Sequence, residues 1–365
     1  MGEIERLNNV GQCEIYVCDG FNQIKDKMVE VIDAGLVSIL YDVKLKEYCD
    51  EFARSFRGGN QIIFATCLES EIPDHTRFII GIGTGTVADK VRRKASALNV
   101  DCALIFSAPT TDTILSPTTH PTNFKTVFLD RSLLDTCPKE CIASGWGIIL
   151  AEPLANFEKY YDEKVLDKKS AVEQHNHLTV DGDNINLAYN LLKASWRNRG
   201  TDNATVMARV LYDSARRQGE RPRLIGEYKF ISASVISSLY ENYLSSLTID
   251  CVIPPAHDIN IDALATLTGR TKSNLLKAFD FFDLDGYFRV GYILSEYRLD
   301  LLDKLRSVDF HSAQKKWRRL YPDAGYWLKS AFTSNSLLTA MRLSAEIGNG
   351  LLRYIAESGF VEVCR

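Results

Sequence analysis

Metal-site residues are scarce in this chain of 365 residues, which has 6 histidines and 9 cysteines, none of them in a C-x-x-C pair. Cys137 and Cys141 come nearest, but with no second pair and no histidine beside them they do not make the ligand spacing of a zinc site. An odd cysteine count without a framework reads as reduced thiols, the habit of a cytoplasmic protein. No apolar run approaches the ~18 residues of a membrane span, and Met1–Asn9 has neither the basic nor the apolar part of a secretory leader. An excess of one charge is lacking as well. With 43 basic and 47 acidic side chains the formal charge is −4, which gives no electrostatic case for nucleic acid or an anionic membrane. Repeats and low-complexity segments are absent from the sequence, so the expectation is a cytoplasmic globular protein whose partner is a small molecule.

What is present fits two domains, since the apolar fraction is 45%, the charged fraction 25%, and single cores stop growing at roughly 250–300 residues. The first third alternates short apolar runs with helical stretches. Glu14–Cys18, Val37–Tyr41, Gln61–Thr66, Arg77–Ile82, Cys102–Ser107 and Lys125–Leu129 read as strands, and Phe21–Ile32 and Lys44–Phe56 as helices. That alternation predicts an α/β domain with a parallel sheet. After about Pro138 strand-like runs vanish and apolar residues recur at helical spacing, as in Ile236, Leu239, Tyr240 and Leu244, or Leu337, Leu338, Met341, Leu343 and Ile347. The expected domains are residues 1–140, α/β, and 141–365, all-α.

The most informative stretch is Phe78-Ile-Ile-Gly-Ile-Gly-Thr-Gly-Thr-Val-Ala-Asp89, an apolar strand running through three alternating glycines into a helix. Glycines at Gly81, Gly83 and Gly85 permit positive φ and a close backbone approach, and a helix start supplies free N–H donors for a pyrophosphate. The spacing is not G-x-G-x-x-G, and the plain alternative is a tight strand-to-helix turn. A second strand, Cys102–Ser107, ends in Pro109, Thr110, Thr111 and Asp112, which would emerge at the same carboxyl edge, where open α/β sheets bind ligands.

In order, these blocks resemble the glycerol-1-phosphate dehydrogenase branch of the iron-containing alcohol dehydrogenase and dehydroquinate synthase superfamily. The blocks are Gly83-Thr-Gly-Thr-Val-Ala-Asp89, Ser107-Ala-Pro-Thr-Thr-Asp-Thr-Ile-Leu-Ser116, Val127-Phe-Leu-Asp130, Pro138-Lys-Glu-Cys-Ile-Ala-Ser-Gly-Trp-Gly147 and Arg221-Pro-Arg-Leu-Ile-Gly-Glu227. The resemblance implies a Rossmann-like N-terminal domain, a helical C-terminal domain and a bound NAD or NADP, and it makes a homo-oligomer a reasonable expectation. It assigns the cofactor to Gly81, Gly83, Thr84, Gly85, Thr86 and Asp89, to Ser107, Pro109, Thr110, Thr111 and Ser116 along the nicotinamide side, and to Asp42 at the adenosine ribose. Asp112 corresponds to a residue on the substrate side.

The same comparison exposes departures. The branch holds a divalent metal with an aspartate and two histidines, but Ile148 stands at the aspartate's place, Tyr228 at the first histidine's and Ser232 at that of a nearby histidine of the motif. His257 and Asp285 compete for the last ligand, and neither keeps the whole motif. Isoleucine cannot ligate a cation and an unperturbed tyrosine is a poor substitute for imidazole, so no metal is expected. His175 and His177 lie in a polar, loop-like stretch. Glu227, Tyr228 and Lys229 occupy the place of the family's chemistry, and a tyrosine beside a lysine can serve as a general acid without metal. Against this, adjacent helix positions do not share a face, and Tyr228 could simply pack in a core. A helix-turn-helix pattern at Asn260–Phe281 is better read as an ordinary helical hairpin, and its acidic tail would repel DNA. The expected function is thus a metal-independent, NAD(P)-binding oxidoreductase acting on a small polyol or ketone that could be phosphorylated. The rivals are a pseudoenzyme that keeps the fold and acts by binding, and a cyclase like dehydroquinate synthase.

Overall fold

The computed structural model describes residues 4–32, 34–57, 59–116, 123–168, 183–197, 202–217, 223–247, 262, 265, 271–273, 284–322, 350–358 and 360. They fall into two compact units. The first comprises Met1–Gly145 with Thr179–Arg199, and the second Trp146–Leu178 with Gly200–Arg365. The expected division near residue 140 therefore leaves out one return, because the helix Asn184–Arg197 belongs with the first unit.

The first unit is built on a seven-stranded sheet of β1 (Glu5–Val10), β2 (Cys13–Cys18), β3 (Gly35–Tyr41), β4 (Gln61–Cys67), β5 (Phe78–Gly83), β6 (Asp101–Phe106) and β7 (Thr126–Asp130), in the order β1-β2-β7-β6-β5-β3-β4. Six strands run parallel. The sheet is not wholly parallel as expected, since β1 pairs antiparallel with β2 across a turn at Gly11, whose φ is 62°. A side chain at Gly11 would also meet the ring of Trp196 at 2.6 Å, so both backbone conformation and packing select glycine there.

β3, β5, β6 and β7 read as mainly apolar runs because both faces of the sheet are covered there. One face packs Val37, Ile39, Ile80, Ile82 and Ile105 against Ile24 and Met28 of α1 (Phe21–Val31) and Cys49 and Phe52 of α2 (Lys46–Ser55). The other packs Leu40, Ile79, Leu104 and Phe106 against Val87, Val91 and Ala95 of α3 (Gly85–Leu98) and Ile185, Ala188 and Leu192 of Asn184–Arg197. α3 stops at Asn99, which adopts the left-handed conformation at φ 52° while Val100 N–H donates to Ala95 O at 3.0 Å.

Two short steps lead into and through the next helices, α4 (Arg131–Asp135) and α5 (Lys139–Val165), and α6 is Asn184–Arg197. The elements among the described residues of the second unit are helices: the rest of α5, α7 (Asn203–Arg217), α8 (Ile225–Ser246), α9 (Leu284–Arg306), α10 (Phe310–Leu320) and α11 (Gly350–Glu357). The stripe Ile236, Leu239, Tyr240 and Leu244 is buried in its core with Leu154, Phe157 and Tyr161 of α5. The stripe from Leu337 to Ile347, His175, His177, His257 and all but isolated positions of 260–281 lie outside the described residues.

Candidate functional site

The strand order fixes where a ligand can enter the first unit. The chain leaves β3 through α2 on one face to reach β4, and leaves β5 through α3 on the opposite face to reach β6. Neighbouring strands β3 and β5 thus send their following helices apart, and in open α/β sheets the crevice at such a switch point, outside the carboxyl ends, is the ligand position. Asp42 lies at the end of β3, its N–H donating to Ile82 O of β5 at 3.2 Å, and its carboxylate accepts from Lys44 N at 2.9 Å. Thr84 follows β5 and stands at the N-cap of α3 without a side-chain bond to the helix. The N–H groups of the first turn have no intrahelical partner by construction, so Gly85, Thr86 and Val87 aim donors at the mouth of the crevice.

The loop after β6 completes this edge. Ser107 N–H donates to Gly83 O at 3.0 Å and extends the β5–β6 ladder beyond the strands. Thr84 and Thr110 share a hydroxyl contact of 3.3 Å, and the Thr111 and Thr113 hydroxyls one of 2.9 Å, which places a hydroxylated rim beside the helix start. The three glycines serve packing rather than positive φ, which none of them adopts. A Cβ on Gly83 would meet Val87 Cγ2 at 2.4 Å, and one on Gly81 would meet Val91 Cγ2 at 3.0 Å. They let α3 sit close on the sheet. A Cβ on Gly85 would meet Thr111 Cγ2 at 3.3 Å, so this glycine admits the threonine loop to the helix start.

Asp112, expected on the substrate side, is only 6% exposed, so Thr110, Thr111 and Thr113 form the accessible part of the loop. Ser116 and Pro109 are buried too. Asp89 is half-buried one turn into α3, where it favours the charged form of Arg92 against the burial that pulls that guanidinium's pKa down. Sequence reasoning missed Arg92. Fully buried, it donates to Ile114 O at 3.1 Å, Ser116 O at 3.0 Å and Asn123 Oδ1 at 3.1 Å, and so ties the loop to α3. Asp130, at the end of β7, was likewise assigned no role. Its buried carboxylate accepts from Gly20 N at 3.0 Å, Ser132 N at 3.0 Å and the Tyr48 hydroxyl at 2.6 Å. An arginine inside an amphipathic helix and an aspartate after a strand give no periodic signal that separates them from surface charges.

Glu227, Tyr228 and Lys229 are buried in α8 of the second unit. The side chains of Tyr228 and Lys229 face different partners there. The Tyr228 hydroxyl faces Arg223 N at 3.4 Å and its ring meets Tyr212 edge-on, whereas Lys229 Nζ lies 3.6 Å from Glu152 and 3.7 Å from Asp202. Successive helix positions point apart, which is the physical reason. Glu227 lies 3.3 Å from Arg223 Nη1. Among the described residues, those at the positions the resemblance assigns to the metal do not suit a divalent cation, and His257 lies outside them. Ile148 is fully buried and has no donor atom, Tyr228 is engaged as described, and Ser232 offers one neutral hydroxyl with no hydrogen-bond partner among the described residues. The carboxylates of Glu152, Asp202 and Glu227 already face cations of the chain itself, and Asp285 is exposed at the start of α9. One motif glycine has a separate explanation: a Cβ on Gly147 would come within 2.3 Å of Gly226 O, so α5 and α8 cross at backbone contact.

No protein-family model matches the sequence, and no curated protein matches it. Among solved structures the chain is similar to glycerol dehydrogenase from Schizosaccharomyces pombe, with 16% identity, a TM-score of 0.48 and coverage of 83% of this chain and 90% of that one. It is similar to the 2-epi-5-epi-valiolone synthase ValA from Streptomyces hygroscopicus, with NAD+ and Zn2+ bound, at 12% identity and TM-score 0.42, covering 83% and 89%. An iron-containing alcohol dehydrogenase from Corynebacterium glutamicum is similar at 11% identity and TM-score 0.42, covering 97% and 100%.

Proposed function

We propose that the protein is an NAD(P)-binding oxidoreductase acting on a small polyol or ketone, with the dinucleotide held at the carboxyl edge of the first unit. The observation that carries this reading is the switch point between β3 and β5, where the uncapped start of α3 and the Thr84–Thr110 contact converge. The first turn of α3 would receive the pyrophosphate, Asp42 the adenosine ribose, and Thr110 and Thr111 the nicotinamide side. When bound, the nicotinamide supplies hydride transfer. The chain's own part is to orient it, with the backbone N–H groups of Gly85 and Thr86 binding phosphate and the threonine hydroxyls lining the ring. The substrate's phosphorylation and the absence of a catalytic metal belong to the same proposal, the latter because Ile148 and Tyr228 offer poor ligation chemistry.

Calorimetry of the full chain with NADH and NADPH tests the reading, with Thr86→Glu as the variant. Thr86 is exposed and lies in the first turn, so a glutamate there suits the helix while placing negative charge where phosphate would sit. Gly83→Val would be uninformative because it collides with Val87. The expected result is dinucleotide binding by the parent, weakened at least 100-fold in the variant at unchanged melting temperature. No heat from either dinucleotide, or equal affinity in the variant, refutes the site. A second reading, binding without turnover, is favoured by the packed-in residues at Ile148, Tyr228 and Ser232. A screen of polyols and ketones that follows nicotinamide absorbance separates the two, since only the oxidoreductase consumes cofactor.

A further inference from the structure

The sheet of the first unit has two edges, and only one of them is protected. β1 carries Glu5 and Arg6 and loses register with β2 between Leu7 and Val10, and both features keep an edge strand from pairing with another chain. β4 has neither. Gln61-Ile-Ile-Phe-Ala-Thr-Cys67 holds no charge and no proline, and it pairs with β3 over seven residues without a bulge. Among the described residues no strand pairs with its outer edge. Alternate backbone N–H and C=O groups of β4 therefore face outward, beside Ile62 at 68% and Phe64 at 37% exposure. We propose that this edge is a homodimer interface, in which β4 of a second copy of the chain pairs antiparallel with β4 about a two-fold axis at Phe64.

A two-fold axis presents one surface to itself, so the patch has to complement its own copy. The strand meets this condition. With the axis at Phe64, that residue opposes the partner's Phe64, Ile62 opposes the partner's Thr66, and Ile63 opposes the partner's Ala65. Successive side chains alternate between the faces of a sheet, so Ile62 and Phe64 share a face and are covered there by the same residues of the other copy. The pairing also satisfies the outward N–H and C=O groups of both edges and joins the two seven-stranded sheets into one.

The charges beside the strand select a second copy over an unrelated strand. A groove of about 600 Å³ flanks β4, lined by Asp50, Arg54 and Arg57 of α2 and its end and by Gln61, Ile63 and Ala65 of the strand. α2 lies on this face, because Ile63 and Cys67 pack against the cluster that holds its Cys49 and Phe52. Neighbouring strands are about 4.8 Å apart, so two copies of α2, each astride its own β3 and β4, come to about 10 Å, the distance of packed helices. They run antiparallel across the axis. Asp50 and Glu51 stand in the middle of α2, and Arg54 and Arg57 towards and beyond its end, so the acidic part of each helix meets the basic part of the other. Asp50 and Arg57 are both exposed. A strand from another protein would satisfy the backbone of β4 but would not bring the charge order of α2 in reverse.

The test measures the mass of the full chain by light scattering and its dissociation constant by sedimentation over a dilution series. The parent is expected to be a dimer at micromolar concentration. Ile62→Lys changes a side chain that is already exposed and sets a charge against the paired strands from each copy, so it should give a monomer with an unchanged circular dichroism spectrum. Asp50→Arg sets like charges against the partner's Arg57 at two symmetric places and should weaken the dimer about 10-fold or more, and adding Arg57→Asp should restore it. A monomeric parent would overturn the proposal. So would a dimer that Ile62→Lys and Asp50→Arg leave intact, or a loss in Asp50→Arg that Arg57→Asp does not repair.

Discussion

Raising the pH from 5 to 8 should destabilise the helical unit through one residue, Glu158. Its carboxylate accepts from the Tyr240 hydroxyl at 2.7 Å, Asn203 Nδ2 at 2.9 Å and Asn203 N at 3.2 Å, and both partners are buried. Burial raises its pKa from 4.5 to about 7, with the nearby Asp202 charge acting in the same direction, while the hydrogen bonds oppose the rise. The folded protein therefore keeps the Glu158 proton across a window in which the unfolded chain has released it. Stability contributed by this group is full below about 4.5, falls as pH rises through the window and is level above about 7. At about 1.4 kcal/mol per pKa unit the ceiling is about 3 kcal/mol, and because the residue as a whole is partly exposed, about 1–3 kcal/mol is the working range.

Glu158→Gln isolates the effect. The glutamine carbonyl can still accept from Tyr240 and Asn203 Nδ2, and only the longer bond from Asn203 N is lost, a cost of about 1 kcal/mol. Urea unfolding of parent and variant at matched pH values reads the difference directly. The variant should be the less stable protein near pH 5 and should match or exceed the parent near pH 8, so that the difference between the curves changes by about 1–3 kcal/mol. Asp162, whose pKa burial also raises, contributes to both curves alike and cancels. Parallel curves would refute the reasoning and mean that the Glu158 carboxylate is solvated in the folded state.

Other expectations follow from single contacts. Arg92→Met strips donors from two carbonyls in the loop after β6 and should cost about 3 kcal/mol or more in chemical unfolding, whereas Lys125→Met, which removes an exposed ion pair with Asp101, should cost under about 1 kcal/mol; equal losses would contradict the clamp. Gly147→Ala forces a methyl against Gly226 O and should destabilise by about 1–3 kcal/mol, and an unchanged melting temperature would show that α5 and α8 separate at no cost. Asp42→Asn keeps the cap on Lys44 N and removes a charge near the expected ribose position, so affinity for NADPH should improve relative to NADH. An unaltered ratio would place the adenosine ribose elsewhere.

The centre of the first unit was legible because its inner strands are buried on both faces. Phe78–Gly83 and Cys102–Phe106 leave no room for polar residues, so apolar runs between turn residues mark them without alignment. β1 was not legible for the opposite reason: Glu5-Arg-Leu-Asn-Asn-Val10 is mostly exposed at the sheet's edge and shows no apolar alternation. The return of α6 was equally hidden, since Ile185, Ala188 and Leu192 make a stripe that states a helix needs a partner but not which partner. The glycines show the same limit within the candidate site. Their spacing marked the place where β5 meets α3, but the reason differs from a demand for positive φ: Val87 and Val91 press against the strand, and a Cβ would hold the helix away. A pattern can therefore locate a helix start that suits an anion while its residues are selected by packing. For that reason the decisive change at this edge is an added charge at exposed Thr86 rather than the loss of a glycine, because only the charge acts on a ligand without first acting on the fold.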